Sequence, residues 1–258
     1  MEDESLHGKF DLVFGDPPFN IGHGYADFDD SFTPEEYADF TNKWLYSGWE
    51  MVAPGGVLAI HGSVPLLPIY WDAVLVCPNL TQCFENHIVW HYRFGQNQPN
   101  NWIDNHCNCL IFRKPGERKF FPDQVQVVSD RVAYGDKRVN KESKEAAEKA
   151  GRTVGTRVAG TVWGTPSDGT YWSRVVGQNK EKVQDAPNQL PTRYMQRLVF
   201  GYTEEGGSVA DLFAGTGTLG LVCKHESRNY QGYDVSAVHA AVARNRINNG
   251  FYRRADNV

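Results

Sequence analysis

Asp211-Leu212-Phe213-Ala214-Gly215-Thr216-Gly217-Thr218 is the stretch that decides the fold. It joins a strand pattern over Ser208–Phe213 to a helical pattern over Thr218–His225. Gly215, Gly217 and Gly220 match G-x-G-x-x-G, a tight turn that brings backbone close to a nucleotide. A further strand over Arg228–Asp234 ends on an acid 19 residues after Gly215, the spacing of a carboxylate that takes ribose hydroxyls. Strand, loop, helix, strand and acid predict a nucleotide-type site on an α/β fold. A glycine turn that only packs helix on strand is the competing reading.

Asp211 selects among nucleotides. A carboxylate beside the loop repels a pyrophosphate and attracts an ammonium, so the methionine end of S-adenosylmethionine fits better than a dinucleotide. Only 38 residues follow Gly220, too few for a second mononucleotide-binding half.

The N-terminal third repeats the α/β pattern. Leu12-Val13-Phe14 reads as a strand running into Gly15-Asp16-Pro17-Pro18. Thr33-Pro34-Glu35-Glu36 opens a helix, with Thr33 as cap and Glu36 completing a capping box. Phe40, Trp44, Leu45, Trp49 and Val52 follow at helical spacing, and Ala53-Pro54-Gly55-Gly56 stops the helix before a strand at Val57–Ile60. Asn86–His91 and Cys109–Phe112 are further strand candidates. Lys141–Lys149 reads as a short charged helix, Thr192–Phe200 and Ala237–Ile247 as longer ones.

The chain has 258 residues, 41% hydrophobic and 22% charged, with a formal net charge of −5. Those values exclude collagenous, disordered and disulfide-scaffold classes. Five irregularly spaced cysteines fit a reducing, cytoplasmic compartment. The acidic start Met1–Ser5 has no apolar core of a signal peptide, and Val64–Cys77 is too short and too interrupted to span a bilayer. No membrane partner is expected. The charge is unevenly spread: residues 113–182 hold 15 basic and 9 acidic residues, against 11 and 22 elsewhere. A basic middle in an acidic chain suits a polyanion-binding insert, with a solvated polar region as the competing reading.

Asp16-Pro17-Pro18-Phe19 carries the second chemical signal. Two prolines stiffen the loop and remove two N–H donors. The Asp16 carboxylate and the Pro17 carbonyl remain as acceptors, and Phe19 offers an aromatic face. Two acceptors and a stacking plane suit an exocyclic amine on a flat heterocycle, such as a flipped-out base. A rigid turn with Phe19 in the core is the alternative.

Together the two loops resemble the DNA amino-methyltransferases of the permuted β class, in which the Asp-Pro-Pro-aromatic motif precedes the cofactor motif. Asp16–Asn20 stands first, the basic stretch follows, and Pro187-Asn188-Gln189-Leu190-Pro191, Asp211–Thr218 and Tyr233-Asp234-Val235-Ser236 come last. The resemblance implies a Rossmann-like sheet in circularly permuted order, with helices on both faces and an inserted target-recognition region. The expected division is a catalytic half over 1–112, a basic insert over 113–185 and a cofactor half over 186–258.

By the same resemblance, Asp211, Phe213, Ala214, Gly215, Thr216, Gly217, Thr218 and Asp234 contact S-adenosylmethionine, with Asn188 and Gln189 near its methionine end. Asp16 and the Pro17 carbonyl hold the target amine, with Pro18 as the stiffening member, and Phe19 stacks on the base. The partner is double-stranded DNA, and a homodimer is a family expectation. Asp at the first motif position, rather than Ser, points to adenine N6, with cytosine N4 or a catalytically weak DNA-binding subunit as alternatives. No metal is needed; His106, Cys107 and Cys109 with Cys83 and His87 match no four-ligand zinc spacing. Arg93, Arg131, Lys137, Arg138, Lys141, Arg152, Arg157, Arg174 and Lys180 are the candidates for DNA contact.

Two departures stand out. The family often has His-Pro-Thr-Gln-Lys-Pro where this chain has Ala186–Pro191, which removes two polar groups from the cofactor site. Many relatives also carry a third cofactor-site strand, and its absence before the first motif predicts a pocket whose adenine end is either shortened or completed by another subunit.

Overall fold

The computed structural model describes residues 4–22, 24–25, 28–93, 99–133, 146, 149, 155–165, 168, 172–183 and 188–254. Among them a seven-stranded sheet is built from β1 (Phe10–Gly15), β2 (Val52–Gly62), β3 (Phe84–His91), β4 (His106–Arg113), β5 (Val162–Trp163), β6 (Ser208–Asp211) and β7 (Asn229–Gly232). The spatial order is β7-β6-β1-β2-β4-β3-β5. β7, β6, β1 and β2 run parallel, β4 is antiparallel to both β2 and β3, and β5 is parallel to β3.

Successive residues of β1 serve opposite faces, as strand geometry demands. Val13 packs with Tyr37, Trp44, Leu45 and Trp49 of α1 (Pro34–Met51) and with Tyr70 and Val74 of α2 (Leu67–Val76). Leu12 and Phe14 pack with Tyr194, Leu198 and Val199 of α3 (Thr192–Tyr202) and with Leu219 and Val222 of α4 (Thr218–His225). The chain is therefore an α/β fold with helices on both faces of a mostly parallel sheet. α5 (Ala237–Asn249) lies against α4.

The predicted start of α1 is present in full. Thr33 Oγ1 accepts from the Glu36 N–H at 3.2 Å, and Glu36 Oε2 accepts from the Thr33 N–H at 2.9 Å. The following strand begins earlier than expected, at Val52 rather than Val57. Gly55 takes φ +77, and the register with β1 shifts between Phe10 and Leu12, so Pro54-Gly55 forms an irregularity within the strand.

The stretch after β4 is not detached from the sheet. Gln126–Val128 pairs antiparallel with Thr156–Val158, while β5 pairs with Val89 and Trp90 at the sheet edge. Asp168 reaches α3, where its Oδ1 accepts from Arg197 Nη1 at 2.8 Å, with both side chains buried. The guanidinium of Arg197 also lies 4.3 Å from the Trp172 ring centroid. The expected helix at Lys141–Lys149 lies outside the described residues apart from 146 and 149.

Candidate active site

From β1 the chain crosses through α1, on one face, to β2. From β6 it crosses through α4, on the other face, to β7 on the opposite side. The carboxyl ends of adjacent β1 and β6 thus form a topological switch point, where open α/β sheets bind ligands. Phe14 is level with Asp211, and the Leu212 N–H donates to the Phe14 carbonyl at 2.9 Å. Asp16 and the glycine loop consequently emerge together.

A cavity of about 310 Å³ opens there, lined by Asp16, Pro17, Pro18, Phe19, Phe28, Asn188, Gln189, Asp211, Phe213–Thr216, Thr218 and Asp234. The Pro18 carbonyl is occupied, because Tyr37 Oη donates to it at 2.7 Å. No donor among the described residues meets the Pro17 carbonyl. Asn20, at φ 53, closes the loop: its N–H donates to Asp30 Oδ1 at 2.8 Å, and its side chain exchanges bonds with Phe32. Phe19 both lines the cavity and packs on the core, its ring centroid 6.3 Å from His61 at 30°.

The glycine loop is pinned from both sides. Gly215 N–H donates to Asp234 Oδ2 at 2.8 Å, and Ala214 N–H to the Tyr233 carbonyl at 2.7 Å. Asp234 Oδ1 accepts from the Ser236 N–H, and Ser236 caps α5. Gly217 sits at φ +74, and a Cβ there would lie 2.9 Å from Ala243 of α5, so only glycine fits. A Cβ on Gly220 would come 2.5 Å from Ile247, the close helix packing expected of the third glycine.

Three carboxyls face this cavity, and no lysine or arginine among the described residues lines it. Asp16 keeps part of its surface open to the cavity but is enclosed by protein. Burial, and then the Asp211 charge, push its pKa up to about 8. Burial pushes Asp211 up to about 7, against the Phe213 N–H and Tyr230 hydroxyl that it accepts from. His61, behind Phe19, is driven down to about 3 by burial and stays neutral at working pH; its Nδ1 lies 3.0 Å from Tyr194 Oη. Two buried carboxyls of raised pKa favour a cationic ligand.

The family profile N6_N4_Mtase, described as DNA methylase, matches residues 10–245. The chain belongs to the N6/N4 DNA methylase family. The methylase is 26% identical over 252 residues to the Type II methyltransferase M.HpaI of Haemophilus parainfluenzae, covering 97% of this chain and 71% of that protein. It is 22% identical to the DNA adenine methyltransferase YhdJ of Escherichia coli K12, over 92% of this chain and 76% of that protein. In fold it is similar to M1.HpyAVI solved in complex with S-adenosylmethionine, at TM-score 0.57 and 18% identity, over 93% of this chain and 89% of that one. It is likewise similar to the cytosine-N4-specific PvuII DNA methyltransferase, at TM-score 0.58 and 16% identity, over 95% and 88% of the two chains. The family is S-adenosylmethionine-dependent, and the methylase has no helix among its described residues long and apolar enough to cross a membrane.

Within the methylase, nearly every residue read from the two motifs lines the one cavity; Gly217 lies just behind it against α5. Gln189 lines the cavity too, but its amide is engaged elsewhere: Oε1 accepts from the Val183 N–H and Nε2 donates to the Glu181 carbonyl. Asn188 Oδ1 accepts from Arg174 Nη2 at 3.3 Å, which brings one basic residue of the middle stretch to the cavity rim, with its guanidinium over Tyr92. Arg93, Arg131 and Lys180 are exposed, and Arg157 is half-buried. Lys137, Arg138, Lys141 and Arg152 lie outside the described residues. Cys107 and Cys109 pack in the same core layer. Tyr37, Asp30, His61 and Arg246 went unread in the sequence, because each acts through a partner distant in the chain; Asn20 was read only as the end of the first motif, not as the residue that closes its loop.

Proposed function

We propose that this methylase transfers a methyl group to the N6 amine of an adenine turned out of double-stranded DNA, using the cavity between β1 and β6. One observation carries the reading: Asp16 and Pro17, the latter with no donor among the described residues on its carbonyl, line the same cavity as Asp211, the glycine loop and Asp234. The residues present fit S-adenosylmethionine. Asp211 suits its ammonium, Asp234 suits its ribose, and the acidic lining suits a sulfonium. When bound, S-adenosylmethionine supplies an electrophilic methyl group.

The methylase's own groups do the rest. Asp16 and the Pro17 carbonyl accept the two amine N–H bonds, which leaves the nitrogen lone pair aimed at the methyl. Asp16 is mostly protonated in the ligand-free cavity and ionises beside a bound cation; ionised, it stabilises the positive charge the nitrogen gains, and its raised pKa lets it hold the proton the amine sheds. Tyr37 fixes the loop through Pro18, and Phe19, backed by neutral His61, offers a face to the base. We assign target recognition to the basic stretch over 113–185, with Arg93, Arg131, Lys137, Arg138, Lys141, Arg152, Arg157, Arg174 and Lys180 on the DNA side. The aspartate at the first motif position and the similarity to YhdJ support adenine. Asp16→Ala is the test: methyl transfer to DNA should vanish while calorimetry still shows S-adenosylmethionine binding. Normal turnover by this variant would overturn the assignment.

A further inference from the structure

The cavity lining has an imbalance. Asp16, Asp211 and Asp234 face it, and among the described residues His239 is the sole basic side chain in the lining, with no lysine or arginine. On the cofactor reading proposed above, the ligand brings a carboxylate as well as its cationic groups. The carboxylate shares a carbon with the ammonium, so an ammonium on Asp211 sets the carboxylate against the loop from Phe213 to Thr218. An acidic lining alone would repel it. Leu190, which also lines the cavity, is apolar and offers no compensation.

A cation lies one layer behind. Arg246 of α5 is 8% exposed, and its Nη1 donates to the Thr216 carbonyl at 3.3 Å, to Thr216 Oγ1 at 3.1 Å and to Thr218 Oγ1 at 2.7 Å. All three acceptors are neutral oxygens of the loop. Its Nη2 is buried and has no hydrogen-bond partner among the described residues. Burial lowers its pKa, and Glu181 opposes that shift while its own carboxylate accepts from the Thr192 N–H and hydroxyl. A guanidinium held behind a ligand loop on neutral acceptors alone is poorly compensated until an anion approaches. The N-terminus of α4 points the same way, since the first N–H groups of a helix favour negative charge.

We propose that Arg246 is the positioning residue for the carboxylate end of the cofactor. It fixes Thr216 and Thr218 from behind and supplies through them the positive charge that an amino-acid carboxylate on the glycine loop requires. Ala243, one turn earlier on α5 and in contact with Gly217, makes α5 the backing for the whole loop.

Calorimetry separates this role from mere support of the fold. The probes are S-adenosylmethionine and decarboxylated S-adenosylmethionine, which keeps the sulfonium and the amine and lacks the carboxylate. The unaltered protein should prefer the carboxylated ligand by about tenfold or more, the worth of one charge-assisted contact. Arg246→Met should lose that preference, weakening the carboxylated ligand about tenfold more than the decarboxylated one, and Arg246→Lys should retain most of it. Should the methionine variant fail to fold, Arg246→Gln, neutral but still a donor, takes the same comparison and should also lose the preference. Equal weakening of both ligands, or a preference that survives neutralisation, would overturn the role of Arg246. Failure of the unaltered protein to bind either ligand would bring down the cofactor reading and this proposal with it.

Discussion

Lowering the pH from 7 to 5.5 should weaken S-adenosylmethionine binding through Asp211. Its carboxyl has a pKa near 7 because it is buried beside the glycine loop, with Asp234 adding to the upward push and the Phe213 N–H and Tyr230 hydroxyl opposing it. Asp16 faces the same cavity, and Cys223 and Tyr230 feel the Asp211 charge from the core. A group of that pKa is about half ionised at pH 7 and about 3% ionised at pH 5.5, so a ligand that needs the anion loses about fifteenfold in affinity. The ligand's sulfonium and ammonium hold their charge across this window. Isothermal calorimetry at several pH values reads the effect, and buffers of different ionisation enthalpy reveal the proton released on binding. Asp211→Asn should bind weakly and with little pH dependence. The ligand-free protein should show the converse trend. Both carboxyls are raised in the folded state, so the folded state holds more protons than the unfolded one between about pH 4 and 8, and stability falls as pH rises through that window. An affinity constant within twofold from pH 5.5 to 7 would refute the pairing of Asp211 with the cofactor's cationic end.

Three further outcomes follow from the same structure. Tyr37→Phe removes the donor to the Pro18 carbonyl, and steady-state kinetics should show kcat down by about tenfold with the cofactor KM little changed, the scale of one lost buried hydrogen bond. Asp168→Ala leaves Arg197 as an uncompensated buried charge, so denaturant unfolding should show a loss of about 3–5 kcal/mol. If the basic stretch neutralises phosphates as proposed, DNA binding should weaken steeply with salt; a titration from 50 to 200 mM salt that leaves affinity unchanged would count against that assignment.

The sequence announced those parts whose cause is local. Gly217 at a left-handed position and the helical run after it marked α4 to the residue, and the Thr33–Glu36 reciprocal cap marked the start of α1. The two motif loops were legible for the same reason, because proline, glycine and aspartate constrain the backbone wherever they stand. What stayed hidden depends on contacts far along the chain. α2 has two prolines at or before its first turn and is apolar almost throughout, so no periodic face betrays it. β5 is a two-residue strand whose pairing with Val89 and Trp90 has no local signature. Arg246 and Tyr37 read as an ordinary basic residue and an ordinary core aromatic; their roles exist only once α5 lies behind the glycine loop and α1 beneath the proline loop.

On the proposed function, one cavity joins an amine-accepting loop to an S-adenosylmethionine loop and methylates adenine in DNA. Mass spectrometry of nucleosides tests it most directly, on duplex DNA of varied sequence incubated with the protein and isotopically labelled S-adenosylmethionine. Labelled N6-methyladenine is the expected product, absent when Asp16→Ala replaces the unaltered protein. Labelled N4-methylcytosine in its place would contradict the choice of base, and unlabelled DNA from a protein that binds both cofactor and duplex would contradict the account itself.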